Sequence, residues 1–536
     1  MISKKSITTT ALQNAVNAMT SDESSMFDAV IVCTTDDHQA NFWMDRLSSG
    51  VCAGRVKVLA CAEDWNSSGG AGNGLGTLYA YQKACKLAKE KYDGMDLADL
   101  LSKGEISVAL FHTAGKGTRM APLPASENNN KPGVKLPILL ERSDGSKTPM
   151  TVLEAVIRQT GVYASSRKGR LSVFWGDQVF LPSAPFVYSP THHIDIMCTL
   201  LGKTAPTAEE WTAQGLEKYG VIAVLDNGNA AQVEKVNHAT AVNMLKTLGQ
   251  ISRVGPSLGS FSVSAMILDG LCEEYNKELM SKTAKLDTDP HFWMPLTLPE
   301  GEYVSLMGQK GISEDESKVH HQRMAEFSRK LHLGENMGLF GAVDVGSDAC
   351  WWDYGQLKLY SKNNLKLLEN DQEAQMLRQF MSLSDKRAYS TLADSVTIDD
   401  VSCVMGCDIR MKGSIQTSVM SNVTANEITS EGAIIINCIS PKITAGKNAI
   451  LYNLISPDAE ITADAGSIQV GVTKENGDTL CLKSRMDIDG GEYWKLKLED
   501  LNNNTFEEIF KENKNSNVGA IETKRLELYE QAKEKL

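Results

Sequence analysis

The most informative part of the sequence is SVALFHTAGKGTRM, residues 107–120. Residues 107–112 form a short apolar run of the kind found in buried parallel strands. A glycine-rich loop follows at once, in which Gly115 and Gly117 permit positive φ and a close approach of the backbone. Exposed amides in such a loop, together with Arg119, can hold the oxygens of a polyphosphate. The stretch therefore predicts a phosphate-binding loop at the end of a parallel strand.

This loop differs from two widespread nucleotide motifs. Lys116 lacks the preceding glycine spacing of a Walker A loop, and no third glycine completes a dinucleotide fingerprint. An ordinary strand-to-helix turn is the alternative interpretation for the loop taken alone.

Other strand-like and helix-like segments flank the loop. The predicted strands are residues 27–33, 56–61, 107–112 and 171–175, and the predicted helices are residues 39–47, 77–91 and 150–160. Strands that alternate with helices indicate an α/β domain with a mainly parallel sheet, a Rossmann-like arrangement. We assign this domain to residues 27–390, after a polar lead-in over residues 1–26. The charged residues 311–329 are predicted to be an irregular surface insertion.

The composition limits the class of protein. A chain of 536 residues is expected to form two or three domains. Its net charge of -13 argues against a nucleic-acid-binding protein, which would show a basic face. No window has the apolar length of a membrane span, and the first residues lack the apolar core of a signal peptide. Eleven scattered cysteines without a CxxC pair indicate reduced thiols. We therefore expect a cytoplasmic protein that contacts neither membrane nor nucleic acid.

The texture of the sequence changes between residues 396 and 473. Apolar residues recur at roughly hexapeptide spacing, with small polar residues between them: Val419, Val423, Ile428, Ile434, Ile443, Ile450, Ile455, Ile461 and Ile468. This pattern predicts a short parallel β-helix over residues 391–475, with an antiparallel sheet as the alternative. Such a domain could support homo-oligomer formation, partner binding or simple capping. Residues 476–536 are predicted to be a polar tail that ends in a helix from Ala520.

The segment KPGVKLP, residues 131–137, follows the loop. Gly-x-Gly-Thr-Arg followed by Lys-Pro and Leu-Pro resembles the signature of sugar-1-phosphate nucleotidyltransferases, which use a nucleoside triphosphate and a sugar 1-phosphate. The resemblance implies that Arg119 and Lys131 contact the triphosphate, with Lys135 as a rival of Lys131. The nucleotide-binding residues implied in this part of the chain are Ala114, Gly115, Lys116, Gly117, Thr118, Arg119 and Lys135.

The same resemblance implies a magnesium ion. Two phosphate groups must approach each other, and a divalent ion neutralises them and orients the reacting phosphorus. Carboxylates at the carboxyl edge of the sheet would hold this Mg²⁺. Asp177 directly follows the strand over residues 171–175 and matches the Gly-Asp of the family. Asp353, in WWDYG, is the second ligand that we favour, and Asp344 is its alternative.

A third set of residues matches the sugar side of the family's site. Glu234 and Lys235 resemble the Glu-Lys pair that holds the sugar and its phosphate. Gly220, in Tyr-Gly-Val, resembles the glycine strand of the same pocket. An exposed Glu-Lys pair is also common on protein surfaces.

The order of the segments narrows the family. A strand-helix-strand-helix module over residues 27–91 precedes the loop, so we predict a circularly rearranged domain. Within it, the glycine run over residues 69–77 would lie along the nucleobase through Gly72, Gly74, Gly76 and Thr77. This order resembles GDP-L-fucose pyrophosphorylase and the pyrophosphorylase half of bifunctional fucokinases, although residues 125–130 are an unfamiliar insertion.

The resemblance implies GTP and L-fucose 1-phosphate as substrates. A pyrophosphorylase for another sugar and base, such as a UDP-glucose-type enzyme, is an alternative. A second alternative is a non-catalytic regulatory subunit that binds a nucleotide sugar. A kinase is disfavoured, since the chain has neither a Walker motif nor the motifs of protein kinases.

Overall fold

The computed structural model describes residues 4–21, 25–66, 69–334 and 336–536. Helices and strands alternate through its first third, as the sequence predicted. In chain order these elements are α1 (Lys4–Thr20), β1 (Ala29–Thr34), α2 (Asp37–Ser49), β2 (Lys57–Ala62), α3 (Gly72–Lys91), α4 (Leu97–Ser102), β3 (Val108–His112), α5 (Leu123–Ser126), β4 (Lys135–Glu141), β5 (Lys147–Thr151), α6 (Val152–Thr160), β6 (Arg170–Trp175) and β7 (Gln178–Leu181).

The middle of the chain continues the same mixed pattern and extends the sheet. Its elements are β8 (His192–Cys198), α7 (Ala208–Ala213), β9 (Gly220–Leu225), β10 (Ala230–Glu234), α8 (His238–Leu245), β11 (Ile251–Ser264), α9 (Ala265–Glu274), α10 (Asn276–Ser281), α11 (Met294–Thr297), α12 (Glu300–Gln309), α13 (Glu314–Lys330), β12 (Gly338–Asp344), β13 (Cys350–Asp353), α14 (Leu357–Leu365) and α15 (Gln372–Phe380).

The largest sheet has nine strands within the described ranges, in the order β10-β9-β11-β6-β3-β1-β2, with β8 beside β11 and β12 beside β8. β1 pairs in parallel with β2 and β3, and β3 pairs in parallel with β6. β11 runs antiparallel to β6 and to β9. The carboxyl ends of the four parallel strands therefore meet at one edge, formed by Thr34, Ala62, His112 and Trp175.

Helices cover both faces of this sheet. All six residues of β1 are buried, as expected for a parallel strand between two helical layers. On one face the strands pack against Trp43 of α2 and Leu153 of α6. On the other they pack against Leu75 of α3 and Leu268 of α9. The mixed α/β class with parallel strands agrees with the sequence prediction.

One segment is more ordered than the sequence indicated, and the polar lead-in contains the helix that was one interpretation of its sequence. The lead-in contains α1, whose Leu12 and Val16 lie in the core, while residues 1–3 and 22–24 are outside the described residues. The segment expected to be an irregular insertion is α13. Its Ser313 and Glu316 form a capping box, and Met324 and Phe327 are buried. The many charged residues of this segment made its narrow apolar stripe hard to recognise in the sequence. Such a stripe is the usual pattern of a helix with one solvated face.

The last part of the chain forms a second sheet and four terminal elements. The strands are β14 (Thr391–Leu392), β15 (Val396–Ile398), β16 (Cys403–Met405), β17 (Asp408–Gln416), β18 (Val419–Glu431), β19 (Ile434–Ala445), β20 (Ile450–Tyr452), β21 (Ile461–Ala463) and β22 (Ser467–Thr473). The terminal elements are β23 (Thr479–Arg485), α16 (Gly490–Tyr493), α17 (Phe506–Glu512) and α18 (Val518–Lys535).

Parallel pairing dominates the second sheet. Val419 pairs with Ile434, Ile434 pairs with Ile450, and Ile450 pairs with Ile468. Only β23 pairs antiparallel among the described strands of this sheet, against β22. The antiparallel alternative is therefore wrong for β14 to β21, while β22 pairs in parallel with β20 and antiparallel with β23.

The terminal segment packs on the rest of the protein. Asn129 Nδ2 donates to Phe510 O at 2.7 Å, and Asn513 Nδ2 donates to Ala125 O at 2.9 Å. Arg525 of α18 donates to Ser126 O at 2.5 Å. The unfamiliar insertion is thus a contact site for α17 and α18, while α16 packs directly on the phosphate loop, since a Cβ on Gly490 would lie 2.7 Å from Thr118 O. No helix in the described part of the chain is long and apolar enough to cross a membrane.

Candidate active site

The glycine-rich loop leaves β3 at the carboxyl edge of the parallel strands. Thr113 anchors it, because its hydroxyl donates to Cys33 O at 2.8 Å. Ala114, Gly115 and Lys116 are exposed beyond that anchor. Gly117 adopts φ 63°, a left-handed conformation that favours glycine. The loop therefore presents exposed backbone at this edge, as an anion site needs.

Lys131 lies directly beside this loop. A Cβ on Gly117 would lie 3.2 Å from Lys131 Cγ, so the lysine stem packs against the loop backbone. Its Nζ forms an ion pair with Asp177 Oδ2 at 2.5 Å. Thr118 and the exposed Arg119 follow Gly117 in a short 3-10 turn. The structure thus brings the Lys-Pro lysine and the Gly-Asp aspartate to the phosphate loop.

The two favoured aspartates face the same small space. β13 pairs with β7, which sets Asp353 opposite Gln178 and next to Asp177. A Cβ on Gly355 would lie 2.7 Å from Asp177 Oδ2 and 3.0 Å from Asp353 Oδ1. Burial raises the pKa of Asp353, and the charge of Asp177 raises it further, although Arg119 is close enough to lower it. A pair of close carboxylates in such a position favours a bound cation.

Asp344 is placed differently. Its Oδ1 accepts hydrogen bonds from the amides of Leu200 at 3.0 Å and Gly346 at 2.9 Å. Its Oδ2 pairs with Arg253 at 3.0 Å. Because both oxygens bind partners in the fold, Asp344 serves a structural junction, and the geometry favours Asp353 as the second carboxylate.

The structure does not bring Lys135 to the loop, so it is not placed to bind the nucleotide. Lys135 is 2% exposed. Its Nζ lies 2.8 Å from Glu127 Oε1 and 3.6 Å from Glu522 Oε2. The side chain points into the protein at the start of β4, where it neutralises buried carboxylates. The inward direction of the Lys135 side chain therefore favours Lys131 as the lysine at the phosphate loop.

The glycine run also differs from its predicted structure. α3 begins at Gly72 instead of Thr77, and its first amides bind another part of the chain. Asn73 N donates to Asp287 Oδ1 at 3.0 Å, and Gly74 N donates to Leu286 O at 2.9 Å. Gly72 and Gly74 allow this segment to approach, since a Cβ on either would lie within 3 Å of Leu286 O. They are thus positions of close packing, and contact of this run with a nucleobase stays a prediction.

Replacing Gly72 by alanine is expected to destabilise the protein by about 2–4 kcal/mol. The new Cβ would lie 2.5 Å from Leu286 O, and the backbone has φ +74°. Urea unfolding would measure the change. Gly54→Ala is the matched control, since Gly54 has φ +70° with nothing within 4 Å of its Cβ. That control isolates backbone strain, about 1–2 kcal/mol. Equal losses in both variants would contradict the close contact.

Gly76 and Thr77 do reach the edge of the sheet. Thr77 Oγ1 lies 2.8 Å from His112 Nε2, and a Cβ on Gly76 would lie 2.9 Å from Glu63 Oε2. Burial lowers the pKa of His112 to about 4, so the imidazole is neutral at physiological pH. His112 and Glu63 were not predicted as site residues from the sequence. Each lies at or just after the carboxyl end of a predicted strand, which is the usual position for site residues in such sheets.

The sugar-side residues meet on the hairpin of β9 and β10. Gly220 pairs directly opposite Glu234. Glu234 Oε2 accepts from Lys310 Nζ at 2.8 Å, and Lys235 Nζ lies 3.6 Å from its other oxygen. Lys235 adopts φ +56°, which is uncommon outside glycine, asparagine and aspartate. The sequence reading did not find Lys310, because only the tertiary fold sets it beside β10.

The carboxylates of the site are few. No group of three or more His, Cys, Asp and Glu side chains that could hold a metal ion occurs among residues 4–21, 25–66, 69–334 and 336–536. Asp177 and Asp353 would therefore supply two ligands and leave the others to substrate and water. This fits Mg²⁺, which often binds through one or two carboxylates plus substrate phosphates.

Comparisons with known proteins add little information about the function. No protein-family model and no curated protein matches the chain. Fourteen chains of solved structures match it. One is a glucose-1-phosphate thymidylyltransferase of Bacillus anthracis in complex with sucrose, 10% identical, covering 66% of this chain and 98% of its own, with a TM-score of 0.19. A likeness this distant carries no argument, so function is inferred from the site itself.

Proposed function

We propose that the protein is a sugar-1-phosphate nucleotidyltransferase, which converts a nucleoside triphosphate and a sugar 1-phosphate into a nucleotide sugar and pyrophosphate. The observation that carries the proposal is the convergence of Lys131, Asp177 and Asp353 beside the exposed phosphate loop. Arg119 and Lys131 supply two positive charges at this edge of the sheet, and Asp177 and Asp353 supply two carboxylates. This combination suits a reaction between two phosphate groups. The sequence motifs of the loop and of residues 131–137 support the same reading.

The reaction needs no protein nucleophile. A phosphate oxygen of the sugar 1-phosphate bonds to the α-phosphorus, and the bond from that phosphorus to the bridging oxygen of pyrophosphate breaks. Arg119 and the loop amides hold the triphosphate, while Lys131 offsets the negative charge that accumulates. Glu234 and Lys235 bind the sugar phosphate at the far side of the edge.

Asp177 and Asp353 are the residues that would hold Mg²⁺. Burial raises the pKa of Asp353, and a cation beside both carboxylates would relieve that cost and their mutual repulsion. When bound, the ion supplies charge neutralisation between the two phosphates. Lys131 forms an ion pair with Asp177 and adds a positive charge beside the two carboxylates.

We propose GTP and L-fucose 1-phosphate as the substrate pair, on the resemblance to GDP-L-fucose pyrophosphorylase. We also propose that residues 391–475 form a parallel β-helix. An asparagine ladder supports this proposal. Asn422, Asn437 and Asn453 lie on successive coils, and their side-chain amides form hydrogen bonds of 2.9 and 3.0 Å with one another. The module of β1, α2, β2 and α3 before the loop-bearing β3 supports a circularly rearranged domain.

Pyrophosphate release tests the reaction. Purified protein with Mg²⁺ is assayed with GTP, UTP, ATP and CTP against fucose, glucose and related 1-phosphates. We expect turnover with one preferred pair. No turnover with any pair, in folded protein, would overturn the proposal.

Arg119→Ala is expected to raise the KM for the triphosphate about tenfold or more, because a charge-assisted bond to phosphate contributes about 1.5–3 kcal/mol. Initial rates at varied triphosphate concentration measure it. Arg55→Ala is the control, since Arg55 is exposed before β2, at the opposite end of that strand. An unchanged KM in the Arg119 variant would contradict the role given to the loop.

A further inference from the structure

A buried polar cluster lies on the hairpin of β9 and β10. Gln232 pairs opposite Ile222, and Glu234 pairs opposite Gly220, so Gln232, Glu234 and Gly220 share one face of the hairpin. A Cβ on Gly220 would lie 3.8 Å from Gln232 Nε2. Gln232 thus stands directly behind the glycine of the proposed sugar pocket.

The side chain of Gln232 has no partner for its polar atoms. It is 0% exposed, and neither Nε2 nor Oε1 makes a hydrogen bond with any described residue. Buried amides are nearly always hydrogen-bonded in native proteins, since an unpaired polar group in a protein interior is costly. This amide therefore points to a ligand that completes it.

Asp289 faces the same cluster. It begins a π-helical turn, Asp289–Trp293, a rare conformation that is frequent at functional sites. Burial raises the pKa of its carboxyl to about 6, against a smaller lowering by the nearby Gln232 amide. The Thr288 hydroxyl lies 3.4 Å from Asp289 Oδ1. A carboxyl, an amide and a hydroxyl group thus lie side by side, and the Gln232 amide is the one among them that makes no hydrogen bond of normal geometry within the described chain.

The cluster lies along the candidate active site. Val221, next to Gly220, pairs with Pro256 of β11. Three residues later, Gly259 packs directly under the indole of Trp175. Trp175 ends β6 two residues before Asp177. On the other side, Asn73 Oδ1 accepts from Thr288 N at 2.8 Å. One continuous stretch of the sheet edge therefore joins the carboxylates to the cluster.

We infer that Gln232 and Asp289 bind hydroxyl groups of the monosaccharide ring of the sugar 1-phosphate, an inference that rests on the proposed function. A ring hydroxyl accepts from the Gln232 amide and donates to the Asp289 carboxylate. A second hydroxyl donates to Gln232 Oε1. The two side chains bind the uncharged hydroxyl groups of the sugar ring. Lys235 and Lys310, near Glu234, supply the positive charge that binds the phosphate of the sugar 1-phosphate.

Gln232→Leu tests the inference, because it keeps the approximate volume and removes both polar atoms. We expect the KM for the preferred sugar 1-phosphate to rise about tenfold or more, since a site built to bind a hydroxyl loses that discrimination when its polar group is removed. The KM for the triphosphate should change by less than about twofold. Asp289→Asn, which keeps the shape of the carboxyl, should show the same selective rise.

Gln159→Leu is the matched control. Gln159 in α6 is 1% exposed, and its two amide atoms also lack hydrogen-bond partners among the described residues. It lies away from the hairpin, so we expect both KM values to stay within about twofold of those of the original protein. Circular dichroism of all three variants shows that each is folded.

The outcomes separate the inference from the proposed function. Turnover by the original protein, with a sugar KM unchanged in both Gln232→Leu and Asp289→Asn, would overturn the inference and leave the function standing. Absence of turnover with every pair would overturn the function. Calorimetric titration with hexose 1-phosphates then decides the site: binding that Gln232→Leu weakens tenfold supports it, and no binding overturns it.

Discussion

Replacing Asp177 by alanine is expected to lower kcat about 10³-fold, which corresponds to about 4 kcal/mol of lost transition-state stabilisation. Asp177 Oδ2 holds Lys131 Nζ at 2.5 Å and shares a small space with Asp353. The change would remove one of two carboxylates for the proposed Mg²⁺ and release the lysine. Steady-state rates at saturating substrates and varied Mg²⁺ measure the effect, and circular dichroism shows whether the fold is intact.

Two further variants assign the second carboxylate. Asp353→Asn should lower kcat by a similar factor, because its carboxylate faces the same space. Asp344→Asn should retain kcat within a few-fold, since Asp344 binds Arg253 and two backbone amides elsewhere. The opposite ranking of these two variants would show that the metal assignment is wrong, and a near-normal rate for Asp177→Ala would show the same for Asp177.

Replacing Glu127 by leucine is expected to destabilise the protein by about 3–5 kcal/mol, because it removes one of the two carboxylates, Glu127 and Glu522, that pair with the buried Lys135 and Arg525. Glu127 Oε1 accepts from Lys135 at 2.8 Å, from Tyr452 Oη at 2.5 Å and from Asn453 Nδ2 at 2.9 Å. Arg525 of α18 lies 3.3 Å from its other oxygen. One carboxylate thus joins the phosphate-loop region, the second sheet and the terminal helix. Guanidinium unfolding measures the loss.

A surface pair supplies the control for this variant. Glu141 and Lys147 are 3.6 Å apart, with side chains 62% and 31% exposed. Glu141→Leu should change the free energy of unfolding by less than about 1 kcal/mol, as exposed pairs do. A comparable loss in both variants would contradict the importance of the buried cluster.

Two other buried carboxylates, Glu154 and Glu522, predict that the stability of the protein is sensitive to acid. Burial alone would raise the pKa of Glu154, but Arg46 and Arg142 outweigh it, so that pKa is lowered. The pKa of Glu522 is lowered in the same way, mainly by Lys135 and Arg525. A carboxyl whose pKa is lower in the folded state contributes stability above its unfolded pKa, near 4.3, and loses it as the pH falls through the folded value. Unfolding midpoints measured between pH 7 and pH 3 should therefore fall as the pH is lowered.

Much of the candidate site was predictable from residue order. Arg119, Lys131 and Asp177 follow strands or the loop between them, and parallel strands end at one edge of their sheet. Strand order placed Asp177 at this edge, and the resemblance to the nucleotidyltransferase signature added Arg119 and Lys131. His112 was predictable on the same rule but was overlooked inside the apolar run. Gln232 carried no such signal, since a glutamine in a strand resembles any half-buried polar residue.

The sequence by itself determined the alternation of strands and helices, the glycine loop, and the change to a repeating apolar pattern after residue 396, whereas the strand pairing decided that these repeats stack in parallel. These follow from local periodicity and from φ values that few residues adopt. Tertiary structure alone decided which polar groups were already occupied. The α3 amides bind Leu286 and Asp287, more than 200 residues away, and Lys135 neutralises Glu127 and Glu522. Leu286, Asp287 and Glu522 are so distant in the chain that they leave no local pattern, and so the sequence did not show that the segment of Gly72 and Gly74, and Lys135, had these partners.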